Sequence, residues 1–266
     1  FVCALPFSHV LARFALRYYG QTPANTQTLS PQWQTALDTQ NPGTAPQAIA
    51  ALKREILHMS DLVANMFRAL PALYAQPDKS FIQQVRSSDI EVNACLERVR
   101  LFVAEIPHDH MDKPSKKEIR GLMEYAIRLE SAGDVVAKRL CDLADEKRRA
   151  KADFSEQGRA EIMGLFEACT ANIRLANEVL ISDDVESARQ LSSEKTELKT
   201  AEFHSRRRHL QRLRANNADS HATSDIHLET LRALREFNGH MAAVAYPLLY
   251  KNGLLLDSRL VGGLES

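Results

Sequence analysis

The sequence predicts an all-α protein: six long helices arranged as two antiparallel three-helix bundles. Three observations lead there. Glycine and proline number only 10 each in 266 residues, so stretches rich in the helix formers Ala, Leu, Glu, Arg and Lys run long. Apolar residues recur in alternating steps of three and four through most of the chain, the period of a helix packed nearly parallel to its neighbours. The breaks between these stretches are short, which makes consecutive helices antiparallel neighbours.

The opening segment, residues 1–19, is apolar but carries His9, Arg13 and Arg17. It is too short and too charged to span a bilayer alone. It reads either as the end of a last transmembrane helix, with Arg13 and Arg17 on the cytoplasmic side, or as an interfacial amphipathic helix. A signal peptide fits poorly, because the positive charges follow the apolar run. The first residue is Phe1 and not Met, as expected of a fragment or a processed product. Residues 20–46, rich in Thr, Gln, Asn and Pro, read as a polar linker.

Helix one is expected over 47–75, with the seam Ile49, Leu52, Ile56, Met59, Val63, Met66, Leu70 and Leu73, and Pro77 ends it. Helix two, over 79–106, carries Ile82, Val85, Asp89, Val92, Leu96, Val99, Val103 and Ile106 in the same register. Helix three, over 115–151, opens on Ser115 and Glu118 as a capping box. Its seam is Ile119, Leu122, Ala126, Leu129, Gly133, Val136, Leu140 and Leu143. Ser155 caps helix four, which runs to Ile181, and Asp183 or Asp184 caps helix five, which runs to Ala215. Residues 216–220 read as a loop. Thr223 or Ser224 caps helix six, which ends between Pro247 and Tyr250. These elements divide the chain into a first bundle over 47–152, a second over 153–250 and a weakly patterned tail over 251–266. The equal count of helices suggests an internal duplication of architecture.

Lys plus Arg equals Asp plus Glu at 34 each. A dedicated nucleic-acid binder should show a basic excess, so no nucleic acid is expected as partner. Cys3, Cys95, Cys141 and Cys169 are scattered and read as small buried hydrophobes, not as a disulfide framework or a zinc site. No phosphate-binding loop, dinucleotide fingerprint, nucleophile elbow or zinc-protease motif is present, and the chain is not expected to be an enzyme.

Polar residues on the apolar seams carry the functional expectations, because a buried polar group must be satisfied. Asp89 takes a seam position between Val85 and Val92; it is either a local hydrogen bonder or a metal ligand. Glu130 and Asp134, four apart, share one face of helix three and repel unless a cation lies between them; alternatively they belong to a solvated face. Gly133 would permit a close approach by a neighbouring helix or an ion. Helix five puts Lys195 and Glu202 on its seam, and helix six adds His227 and Asn238, together a candidate inward polar network. The run Arg206–His209 reads as a solvated helix face, with a membrane or phosphate contact as the minority reading. Glu55 and His58 have the spacing of di-iron carboxylate bundles, which need two such pairs on helices plus two more glutamates; the other pair so spaced, Glu105 and His108, spans Pro107 where helix two ends, which leaves a ferritin-like protein as a weak alternative.

The stretch Arg128-Leu129-Glu130-Ser131-Ala132-Gly133-Asp134 resembles the PhoU signature. Three further stretches are similar to the PhoU-like C-terminal domain of bacterial sodium/phosphate cotransporters: Lys53 to Asp61, Phe154 to Gly158, and Ser224 to Leu228 leading to Asn238 and Ala245-Tyr246-Pro247. The resemblance runs from Phe1 to about Leu249. It implies a PhoU-like fold, with Glu130, Asp134 and Asp89 as ligands of divalent or ferric metal ions. The second half departs from the pattern, with Leu234 and Asn238 where the acidic pair would stand. The resemblance also implies a regulatory domain on the cytoplasmic side of the inner membrane. Its partners would be the transmembrane transport domain of the same parent protein and a second copy in a homodimer, and the parent would carry sodium and inorganic phosphate. A free-standing PhoU-like regulator of phosphate uptake is the alternative.

Overall fold

The computed structural model describes residues 34–107, 111–215 and 218–255. The expected membrane-proximal segment 1–19, most of the linker and most of the C-terminal tail lie outside the described residues. The chain divides into two units at Thr35, and the described helices belong to the one that begins at Ala36.

Local signals set most helix ends. Helix α1 (Ala45–Ala75) starts where Gln47 Oε1 reaches back to accept from Thr44 N at 2.8 Å, and it stops just before Pro77. Asp78 caps α2 (Lys79–Glu105) by accepting from Phe81 N at 2.8 Å. Helix α3 (Lys113–Asp134) begins earlier than its expected Ser115 cap. Asp112 takes that role, accepting from Ser115 N at 3.2 Å, and Pro114 sits in the first turn, where its missing N–H has no cost. The helix widens into a π segment (Val135–Leu140) before continuing as α4 (Cys141–Ala150), so helix three is not a uniform α-helix.

Ser155 caps α5 (Glu156–Ser182) by accepting from Gly158 N, as expected. Asp183 closes α5 in the left-handed conformation, and Asp184 caps α6 (Val185–Arg214) through Ser187 N at 2.7 Å. Part of the expected loop is helical, as α7 (Ala218–Ala222). Thr223 stands at the N-cap of α8 (Ser224–Met241) but makes no capping bond; its hydroxyl donates back to Asp219 O at 2.8 Å. A short 3₁₀ turn (Ala242–Val244) joins α8 to α9 (Ala245–Lys251).

The fold is all-α. Helices α1, α2 and α3 pack pairwise, as do α5, α6 and α8, and α1 on α5 together with α3 on α8 joins the two sets. One apolar cluster runs through both, from Leu52 and Val92 to Leu234 and Phe237. At its centre Phe67 of α1 stacks on Phe237 of α8 at 4.1 Å and meets Phe166 of α5 at 5.5 Å. Tyr74, also on α1, packs edge-on against Phe166 at 5.3 Å, and its hydroxyl donates to Leu140 O at 3.2 Å. These residues are essentially inaccessible to water, so the joint between the sets is as dry as either core. None of the described helices is long and apolar enough to cross a membrane.

Candidate metal centre

The seam of α2 turns Val85, Asp89 and Val92 toward α3, and it leaves Asp89 only 8% exposed. Asn93, one turn on, donates its amide to Asp89 Oδ2 and to the Asp89 carbonyl, each at 3.0 Å. The other carboxylate oxygen, Oδ1, is buried and accepts no hydrogen bond. It lies against Gly133, where a Cβ would stand 2.9 Å from it. The last turn of α3 carries Glu130 and Asp134, both partly buried, and the π segment follows Asp134 directly. Asp134 Oδ1 meets Lys138 Nζ at 2.6 Å.

Electrostatics ties the three acids together. Burial, then the charge of Asp134, pushes the Asp89 carboxyl above the usual carboxylate range. Burial, then the charges of Asp134 and Asp89, pushes Glu130 up in the same way. The structure therefore places the three acids near enough for their charges to act on one another, Asp89 coming from a separate helix, although their oxygens do not all lie within 4.8 Å of one another. An unpartnered, buried carboxylate oxygen beside two more carboxylates fits a hard cation, which takes oxygen ligands. Lys138, with its side chain 66% exposed, pairs with Asp134 at the rim, and its charge also reaches Asp89 and Glu130.

The second set of helices solves the same problem differently. Its middle helix, α6, also buries a carboxylate, Glu202, at 3% exposure. Arginines meet it: Arg206 at 3.1 Å and Arg235 of α8 at 3.4 Å. Asn238 is buried and accepts from Asn172 Nδ2 at 2.9 Å. Lys195 is half-buried and donates to the Tyr246 hydroxyl. His227 is buried against His209 and Glu161. The four residues expected to form one inward network are thus each held by partners outside that set.

The face expected to be solvated at Arg206–His209 is corrected at its last residue. His209 is 1% exposed, stacks on His227 at 4.5 Å between ring centroids and shares a hydrogen bond with Ser224 Oγ at 3.0 Å. Burial, then the neighbouring charges of His227 and Arg212, pushes it down to about 4. Beside the histidine pair lies a cluster that sequence reasoning missed. Glu161 accepts from Arg208 at 2.7 Å and from both terminal nitrogens of Arg212, at 2.9 and 3.0 Å, and lies 3.5 Å from His227. Burial alone would raise the Glu161 carboxyl; the nearby His227 and the hydrogen bonds from Arg212 and Arg208 outweigh it and hold it down at about 2. Arg208 and Arg212, four apart, offered a hint, but Glu161 stands 47 and 51 residues from them.

Comparison with known proteins agrees with this architecture. The chain is 28% identical over 246 residues to proteins named "Putative inorganic phosphate export protein YjbB" from Salmonella typhimurium (strain LT2) and Escherichia coli (strain K12). The match covers 92% of this chain and 44% of each relative, so the chain spans less than half the length of the relatives it matches. Among solved structures, PhoU from Pseudomonas aeruginosa superposes with a TM-score of 0.65 at 16% identity, covering 79% of this chain and all of that one. The phosphate transport system regulatory protein PhoU from Streptococcus pneumoniae gives a TM-score of 0.67 at 14% identity, covering 81% of this chain and all of that one. No protein-family model matches the chain. The fold is PhoU-like, and the chain is related in sequence to the proteins of that printed name.

Proposed function

We propose that the chain is the PhoU-like regulatory module of a sodium-coupled inorganic phosphate transporter, acting on the cytoplasmic side of the inner membrane beside the transport domain of its own parent protein. The relationship to proteins named for inorganic phosphate export supports phosphate as the parent's cargo. The resemblance of the Glu130–Asp134 signature and of the flanking stretches to sodium/phosphate cotransporters supports sodium coupling. The observation that carries a regulatory role is the buried, unpartnered Oδ1 of Asp89, held among carboxylates from two helices.

Asp89, Glu130 and Asp134 would hold a divalent or ferric ion, which supplies positive charge among three carboxylates. The chain's own residues do the rest. Asp89 sets the α2–α3 contact at Gly133, Asn93 fixes the orientation of its carboxylate, and the π segment lets α3 continue past the site into α4. Relief of the repulsion at this contact would stiffen the first three helices. Helices α1 and α3, which pack on the second set, then offer a route by which the change reaches the whole unit. The test is phosphate flux by the full-length parent in vesicles, with the wild-type chain and with Glu130→Ala/Asp134→Ala, beside elemental analysis of both proteins. Loss of bound metal with altered flux is expected. Unchanged metal content and unchanged flux would sink the reading.

A second reading, a free-standing regulator, is favoured by the full coverage of two PhoU chains. Membrane fractionation of the native protein separates the two, since only a module of a transporter sediments with the membrane after a high-salt wash.

A further inference from the structure

The Glu55/His58 pair on α1 takes no part in the acidic cluster. Glu55 is fully buried, and its Oε1 accepts from Arg98 Nε of α2 at 2.9 Å. His58, nearly one turn further along α1, is half-buried and faces a stretch of α2 where Glu91 and Cys95 stand four apart. One ligating atom from each of His58, Glu91 and Cys95 lies within 4.8 Å of the other two. Cys95 is fully buried, while the side chain of Glu91 is 50% exposed and opens the group to solvent.

We infer that His58, Glu91 and Cys95 form a second cation site, built for a thiophilic divalent ion such as zinc and distinct from the all-oxygen cluster on α2 and α3. Imidazole, carboxylate and thiolate are the three ligand types that zinc takes, and three protein ligands leave a fourth position for water. A tetrahedral ion with bonds of about 2.0–2.3 Å holds its ligand atoms about 3.3–3.8 Å apart, so small side-chain adjustments close the trio. The i, i+4 spacing of Glu91 and Cys95 sets two ligands on one rigid helical face, and the α1–α2 contact delivers the third.

Arg98 accounts for the group without an ion. Its guanidinium donates to Glu91 Oε1 at 3.0 Å and to Cys95 Sγ at 2.9 Å while it is anchored on Glu55. With the thiol protonated, the two glutamates and Arg98 leave the group one charge negative. A divalent ion that displaces the thiol proton brings it to neutrality, and the buried Glu55 keeps Arg98 compensated as Glu91 and Cys95 turn to the metal. The other buried cysteines of the described residues, Cys141 and Cys169, belong to no such ligand group.

The test is titration of the reduced chain with cobalt(II), followed by displacement with zinc. The expected result is a near-ultraviolet thiolate-to-cobalt charge-transfer band with the visible absorption of a four-coordinate ion, removed by one equivalent of zinc. The band should vanish in Cys95→Ser and persist in Asp89→Asn. Because carboxylate ligation gives no thiolate band, failure of this site and failure of the acidic cluster read out separately. If Cys95→Ser does not fold, Glu91→Gln, at a half-exposed side chain, decides: zinc affinity should fall by more than about 100-fold, the upper end of what outer-shell changes alone bring. No charge-transfer band at saturating cobalt, a band that survives Cys95→Ser, or unchanged zinc affinity in Glu91→Gln would each overturn the assignment.

Discussion

Any β-carbon at position 133 would stand 2.9 Å from Asp89 Oδ1, so glycine there is what lets a buried carboxylate of α2 lie against the backbone of α3. Gly133→Ala should lower stability. The helix preference for alanine returns up to about 1 kcal/mol, while overpacking of the contact costs about 1–3 kcal/mol. In an Asp89→Ala background the carboxylate is gone, and Gly133→Ala should become neutral or stabilising. Urea denaturation of the four proteins measures the coupling, expected to exceed about 0.5 kcal/mol. Additive effects would show that the approach carries no energy.

Cation binding at the acidic cluster should appear as thermal stabilisation. An ion at a hundredfold excess over its dissociation constant adds about 2.7 kcal/mol, which at this chain length raises Tm by about 2–4 °C for each kcal/mol. Asp89→Asn removes one of the three charges and should lose most of the shift, and a chelator should reverse it in the wild-type chain. Differential scanning calorimetry with manganese, magnesium and ferric ions makes the measurement.

Two groups of residues should bend the pH dependence of stability in opposite directions. Asp89 and Glu130 are held above the usual carboxylate range by burial and by neighbouring carboxylates. Without metal, the native state binds their protons more tightly than the unfolded chain does. Their contribution is therefore fully present below the unfolded carboxylate range and is lost as pH rises through the native values. His209, held at about 4 chiefly by burial, acts the other way. Its contribution is present above the ordinary histidine value and is lost as pH falls toward 4, by at most about 1.4 kcal/mol per pH unit. Urea midpoints of metal-free protein across this range should show the first trend weakened in Asp89→Asn, where the burial of Glu130 remains, and the second lost in His209→Asn.

Glu161 is the counter-ion of Arg212 in a nearly dry site, their side chains at 8% and 10% exposure, and it also meets the exposed Arg208. Glu161→Gln would strand Arg212 without a counter-ion, a change that costs about 3–5 kcal/mol. Calorimetry should show a fall in Tm well beyond that of Glu186→Gln, whose carboxylate is 81% exposed.

The apolar period was enough to read the helices and most of the core. Leu52, Met59, Val92, Leu129 and Leu140 were all expected on seams, and all are buried. The same period placed Asp89 inward, and the i, i+4 spacing put Glu130 and Asp134 on one face. Caps were less legible where suitable residues crowd together. Ser115 and Asp112 both suit an N-cap, and the choice fell to Asp112, whose position lets Pro114 sit in the first turn.

The sequence by itself thus determined the helices, their inward faces and the acidic pair on α3, because these follow from spacing along one chain segment and from the backbone geometry of a helix. Only the tertiary structure decided which side chains from different helices meet. It set Asp89 against Gly133 and gave Glu202 arginines in place of a matching acid. It also drew Glu161 to Arg212 and gathered His58 with Glu91 and Cys95. The physical reason is that such meetings depend on how two helices are rotated and shifted against each other. That register is fixed by the packing of the whole core, and no local stretch of sequence encodes it.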